Sequence, residues 1–288
     1  MQATFKLQNL FILLPLMLLF TASCSEFRKI QRSDDWKKKY EAALKYYEEE
    51  RYAKAAILLE EVLPLTRGTE DAEKAQFYYA YSHYHQELFI ESAHYFKLFF
   101  DTYGRSPLAE EALFMHAYSL YQQSPRYNLD QTSSFEAINA LQNFINIYSQ
   151  SIYRERATEI LDQMQQKLAR KAYENAKLYY QIGRFKAALI ALDNFSDDFP
   201  DSNFNEELAY LKVKVGYDLA KNSLPRLQRE RYFDTIDYYQ TFVDTYPESN
   251  WGREAEKLYD QAQREITKLN AVPAQGEDAA EGISTLSN

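Results

Sequence analysis

The chain has 288 residues, with 33 lysines and arginines against 42 acids and a formal charge of −9 at neutral pH. That balance argues against a nucleic-acid partner held through its phosphates, and no segment is basic enough to overturn it. Seven glycines, eight prolines and 16% aromatic residues suit a largely helical chain, and a single cysteine excludes an internal disulfide.

Lys6 gives a thin positive start, and residues 10–20 (LFILLPLMLLF) form an apolar stretch interrupted only by Pro15. Spanning a bilayer takes about 20 apolar residues, so this run is too short, but it has the length of a signal-peptide core. Thr21, Ala22 and Ser23 then precede Cys24. The arrangement resembles a bacterial lipoprotein signal, with residues 1–23 removed and Cys24 left first and lipid-modified. Thr21 stands where such signals usually carry leucine or a similar residue. The alternative is an ordinary secretory signal with an incidental cysteine. Acyl chains on Cys24 would hold the protein on a membrane without a spanning helix. Residues 24–35 read as a polar tether.

Five sets of residues then recur at offsets of three and seven: Tyr40/Ala43/Tyr47, Phe77/Ala80/Tyr84, Phe114/Ala117/Tyr121, Tyr173/Ala176/Tyr180 and Tyr210/Val213/Tyr217. Those offsets fall on one helical face. Each set is followed by a second helical pattern with its own small residue: Tyr52/Ala55, Phe89/Ser92, Ser134/Ala137, Phe185/Ala188 and Tyr232/Thr235. The spacing predicts helices near 36–50 and 52–65 in unit one, and near 70–86 and 88–103 in unit two. Second helices close on Phe99/Tyr103, Phe144/Tyr148, Phe195/Phe199 and Phe242/Tyr246, with serine three residues on (Ser106, Ser151, Ser202, Ser249) as a helix N-cap. In unit one Val62, Thr66 and Thr69 take these places.

Unequal spacings expose insertions within unit three (124–134), before unit four, where 153–182 reads as one long helix, and within unit five near Pro225. A helix near 251–269 caps the stack, and the tail from Asn270 has the composition of a disordered segment. The aromatic-to-tyrosine offset matches the opening of a tetratricopeptide (TPR) repeat. The expected fold is therefore all-α, a TPR solenoid of five helix-turn-helix units with a C-terminal capping helix. Residues 36–150 hold units one to three, 151–270 hold units four and five with the cap, and 271–288 form the tail.

Chemistry is sparse along this chain. His83, His85, His94 and His116 include no pair at the spacing of a helical zinc site, and no nucleotide-binding or nucleophile-elbow glycine pattern is present. A protein that is not an enzyme and needs no cofactor or metal is expected. A residue repeated in every unit serves packing, so recognition belongs to first-helix positions that differ between units. Three such rows are Leu44/Tyr81/Tyr118/Lys177/Lys214, Lys37/Lys74/Glu111/Arg170/Glu207 and Glu48/His85/Gln122/Gln181/Asp218. Lys74, Tyr81, His85 and Tyr118 form a candidate aromatic-basic groove, with Lys177 and Lys214 as its counterparts further on; an ordinary solvated surface is the alternative.

The lipoprotein signal, five TPR units, the F-x3-[YF]-x2-S unit ending and the stretch SPRYNLDQTSSFEAI in unit three together resemble the BamD family of outer-membrane protein assembly lipoproteins. The resemblance covers about residues 24–270. It implies a subunit anchored to the outer membrane by Cys24 and facing the periplasm. Its C-terminal half would grip the POTRA domains of a BamA-like insertase, its N-terminal repeats would receive unfolded outer-membrane β-barrel proteins, and accessory lipoproteins would be further partners. Other readings are a periplasmic TPR lipoprotein that organises cell-wall enzymes, and a TPR-regulated hydrolase or transferase.

Overall fold

The computed structural model describes residues 26–271, so Cys24 and most of the expected tail lie outside the described residues. All regular structure among the described residues is helical. A short helix, α1 (26–31), precedes α2 (Trp36–Glu48), α3 (Tyr52–Thr66), α4 (Ala72–His85) and α5 (Phe89–Thr102). Then come α6 (Ala109–Gln123), α7 (Thr132–Ile147) and the long α8 (Arg154–Gln181). The chain ends on α9 (Phe185–Asp198), α10 (Asn205–Lys221), α11 (Pro225–Thr245) and α12 (Gly252–Ala271). Two compact units divide at Gln165 and Gln166, inside α8. In the first, helices from α2 to α7 pack each on the next and α2 also reaches α4; in the second, α9 to α12 do the same and α10 also reaches α12. Each unit is thus a TPR-like stack.

The ten small positions of the repeat explain this packing. Ala43, Ala80, Ala117, Ala176 and Val213 in the first helices, and Ala55, Ser92, Ala137, Ala188 and Thr235 in the second, are all 0% exposed. Helix axes can approach closely only where the facing side chains are this short. The closing phenylalanines Phe99, Phe144, Phe195 and Phe242 are fully buried, and Val62 fills the same place in unit one. Four of the five leading aromatics are buried, while the tyrosines seven residues on are only half-buried.

Helix ends follow the repeated signature. At Tyr103, Tyr148, Phe199 and Tyr246 the backbone N–H donates to the carbonyl of the phenylalanine four residues earlier, and the helix stops. The serines begin a single tight turn rather than the α-helix itself. Each of Ser106, Ser151, Ser202 and Ser249 accepts the N–H of the residue two further on through Oγ, at 3.0–3.3 Å. Its carbonyl takes the N–H three further on, and α-helix follows from there. Between first and second helix the compact turn carries a left-handed residue ten positions after the leading aromatic: Glu50, Glu87 and Gly183, with φ of 58°, 60° and 72°. The N–H groups that follow them return to Tyr46, His83 and Tyr179, closing the last helical turn.

Three expectations need correcting. Residues 26–31 are not tether: Phe27 and Ile30 pack on the unit-one core, and Gln31 donates to Glu61 at 3.1 Å. The second helix of unit five does not open at Tyr232: α11 starts at Pro225, so the inserted residues lengthen the helix, and proline at its start gives up no hydrogen bond. Asn270 belongs to α12. The unit-three insertion is a loop, and Gln131, 4% exposed, holds it. Its Nε2 donates to the carbonyls of Arg126 (2.8 Å) and Leu129 (3.1 Å), and its Oε1 accepts from Ser134 (2.7 Å).

Candidate functional site

The rows that vary between units are largely inter-repeat connections. The tyrosine seven residues after each leading aromatic reaches the following repeat. Tyr47 Oη meets His85 Nε2 at 3.2 Å, Tyr121 donates to Gln163 at 3.2 Å, and Tyr180 donates to Asp218 at 2.7 Å. Gln122 makes the corresponding connection by donating to the Tyr84 oxygen. A second set runs from the position four after the aromatic to the position three before the next one. Tyr81 donates to Glu111, and Lys177 Nζ donates to Glu207 at 2.9 Å. Burial, aided by Glu111, raises the Tyr81 pKa and keeps its hydroxyl a protonated donor.

In the first unit these contacts gather rings on α4 and α6. His85 stacks on Tyr52 (4.3 Å between ring centroids) and on Tyr81 (5.9 Å). Tyr81 continues to Tyr84 at 6.4 Å, and Tyr84 to Tyr118 at 6.1 Å. The structure therefore brings Tyr81, His85 and Tyr118 into one aromatic strip. Lys74 is exposed and makes no ion pair or ring contact with that strip among the described residues. Charges of both signs border the rings: Tyr81 donates to the Glu111 carboxylate, and the Arg156 guanidinium hydrogen-bonds Tyr118, so the basic group beside the strip is Arg156 and not Lys74.

Lys177 and Lys214 meet in the second unit. They line a pocket of about 220 Å3 together with Tyr180, Gln181, Glu207, Tyr210, Leu211 and Trp251. Lys177 is occupied: besides Glu207 it donates to Tyr173 Oη at 2.6 Å, and that hydroxyl in turn donates to Glu207 at 2.8 Å. Burial pushes the Glu207 carboxyl up, but the hydrogen bonds from Lys177 and Tyr173 and the lysine's charge outweigh it and leave the group below the usual range. Lys214 lies over the Tyr180 ring at 5.4 Å and joins no ion pair among the described residues. The pocket thus offers one ammonium without a counter-ion beside apolar and aromatic walls.

Sequence reasoning missed Trp251 and its equivalents. Two residues after the unit-ending serines stand Leu108, Tyr153, Phe204 and Trp251. The three aromatic ones stack on the leading aromatic of the preceding repeat: Tyr153 on Phe114 (4.7 Å), Phe204 on Tyr173 (4.2 Å) and Trp251 on Tyr210 (6.1 Å). A serine-x-aromatic signal was available in the sequence. No helix among the described residues is long and apolar enough to cross a membrane. No curated protein matches the chain. Over residues 32–211, from the end of α1 into α10, the sequence matches the YfiO family of outer membrane lipoproteins. That span is well over half of the 288 residues, and the chain belongs to this family.

Proposed function

We propose that the protein is a lipid-anchored scaffold of β-barrel assembly, binding without turnover. In this reading its first unit receives unfolded outer-membrane segments and its second unit grips a BamA-like insertase through a POTRA domain. Lipidation at Cys24 and a periplasm-facing orientation belong to the same reading. The observation that carries it, beside the family, is the chemical difference between the two surfaces. The strip of Tyr81, His85, Tyr84 and Tyr118 offers ring faces to an extended segment rich in apolar and aromatic side chains. The Lys214 pocket offers a cation to an acidic group on a folded partner.

The test is a pull-down from detergent-solubilised envelope with full-length variants. Tyr81→Ala with Tyr118→Ala should lower capture of unfolded barrel segments and spare the insertase. Lys214→Glu should do the reverse. The opposite pattern means the surfaces have been assigned the wrong way round, and recovery of cell-wall synthases without a barrel partner removes the reading altogether.

A further inference from the structure

The helix at the start of the described chain has two unlike faces. Phe27 and Ile30, three residues apart, point into the unit-one core, where the Phe27 ring meets Tyr46 at 5.7 Å. Lys54 lies over the Phe27 ring at 5.4 Å, and Gln31 is tied to Glu61. These contacts fix the rotation of α1 about its axis. Arg28, Lys29 and Arg32, at positions i, i+1 and i+4, consequently face outward, are exposed, and enter no ion pair among the described residues. Glu26 is the one acid on α1, and Asp34 and Asp35 follow in the turn, where Asp35 caps α2. Over residues 26–35 these three cations equal the acids in number, yet none of the three is ion-paired with an acid among the described residues.

Chain length gives this face its meaning. Two peptide steps separate Cys24 from Glu26, a reach of about 7 Å at the maximum extension of a chain. Resting on the reading of Cys24 as the acylated residue, we infer that the outer face of α1 is a docking surface for anionic phospholipid headgroups. Acyl chains at Cys24 place that face within about one Debye length of the bilayer, roughly 8–10 Å, where attraction between cations and headgroups is not screened out. The anchor and the cationic face act together: one supplies residence, the other sets which side of unit one lies against the membrane. A true tether would have left the first unit to rotate; a helix packed on the core does not.

The experiment uses the acylated full-length protein. Once Cys24 is acylated, Ser33→Cys, beside the cationic face and outside it, supplies the single reactive thiol, which carries a fluorophore quenched by a headgroup-labelled lipid. Protein is reconstituted in phosphatidylcholine vesicles with and without phosphatidylglycerol. Each cation near an anionic surface is worth about a fivefold factor in partitioning. Quenching should therefore be several-fold stronger in the anionic vesicles, fall in high salt, and drop to the neutral-vesicle level when Arg28→Glu and Arg32→Glu are added. Thermal melting should be unchanged, since these side chains touch no core residue. Quenching equal in both vesicles and indifferent to charge reversal overturns the inference while leaving acylation intact. Failure to incorporate acyl label overturns the lipidation reading as well. A photoreactive group at position 33 that cross-links in whole envelopes to an acidic protein, and not to lipid, also overturns it.

Discussion

Replacing Glu207 by glutamine tests whether the connections between repeats carry stability. The carboxylate accepts from Lys177 at 2.9 Å and from the Tyr173 hydroxyl at 2.8 Å, and both Lys177 and Glu207 side chains are about one-third exposed (31% and 32%). A hydrogen bond to a charged group contributes about 1.5–3 kcal/mol net when sheltered, and an exposed pair about 0–1. For this intermediate exposure Glu207→Gln should cost about 1–2 kcal/mol, with a coupling of about 1 kcal/mol to Lys177→Met in a double-mutant cycle. The pH dependence has a definite sign. Glu207 sits below its usual pKa, so its contribution is full above about 4.3 and fades as pH falls through the lower folded value. Burial lowers the Lys177 pKa, but Tyr173 and Glu207 more than reverse this, so its contribution is intact below about 10.4 and fades as pH rises through the raised value. Urea unfolding of the wild type, both singles and the double, repeated from mildly acidic to alkaline pH, provides the measurement. Additive singles would refute the claim that the pair couples the repeats. A cost unchanged on going below pH 4 would refute the electrostatic account.

Glu87→Gly should stabilise the protein by about 0.5–1 kcal/mol, because glutamate at φ 60° carries a side-chain penalty that glycine lacks; a lower urea midpoint would contradict this. Gln131→Ala removes the donor to two loop carbonyls and should cost about 2 kcal/mol, with faster amide exchange confined to residues 124–134. Tyr180→Ala should cost about 2 kcal/mol, below the 3–5 of a fully buried aromatic, because its ring is half-buried, and Tyr180→Phe should cost about 1 kcal/mol through the Asp218 hydrogen bond alone. Cys24→Ser should abolish incorporation of acyl label and release the protein from membranes; normal acylation of that variant would show that another residue carries the lipid.

The helices and their packed faces were legible because burial is repeated. A position that is 0% exposed in all five units tolerates only small residues, and such a constraint leaves a period in the sequence. The inter-repeat pairs were not legible, because Tyr47 with His85 or Tyr81 with Glu111 are 30 to 38 residues apart and chemically dissimilar from one unit to the next. They were noticed only as rows that vary, and variation was taken to mean partner recognition. Helix α1 was hidden by its length: two apolar residues in a run of charges show no period. The insertion near Pro225 was legible from the spacing, but that it extends the second helix by about two turns was not, because the repeat pattern begins only at Tyr232. In the groove, Tyr81, His85 and Tyr118 could be grouped by register alone, whereas the separation of Lys74 from them depends on side-chain direction.

Because the junctions do not all share one donor–acceptor pair, the repeats are not uniform bricks. Tyrosine meets histidine at one junction, glutamine at the next and aspartate at a third, while a phenol–carboxylate pair in the first unit is replaced by an ammonium–carboxylate pair in the second. A duplicated or transplanted repeat would keep its small-residue seams and fold against its neighbour, yet present a different group at the rim. Exchange of the first helices of units two and four, for instance, would set a lysine against Glu111 and a tyrosine against Glu207, pairs that still hydrogen-bond but interchange the charge at the two rims. The repeats share one packed core and differ at their rims, so what distinguishes one seam from another is the charge and ring chemistry left at its edge.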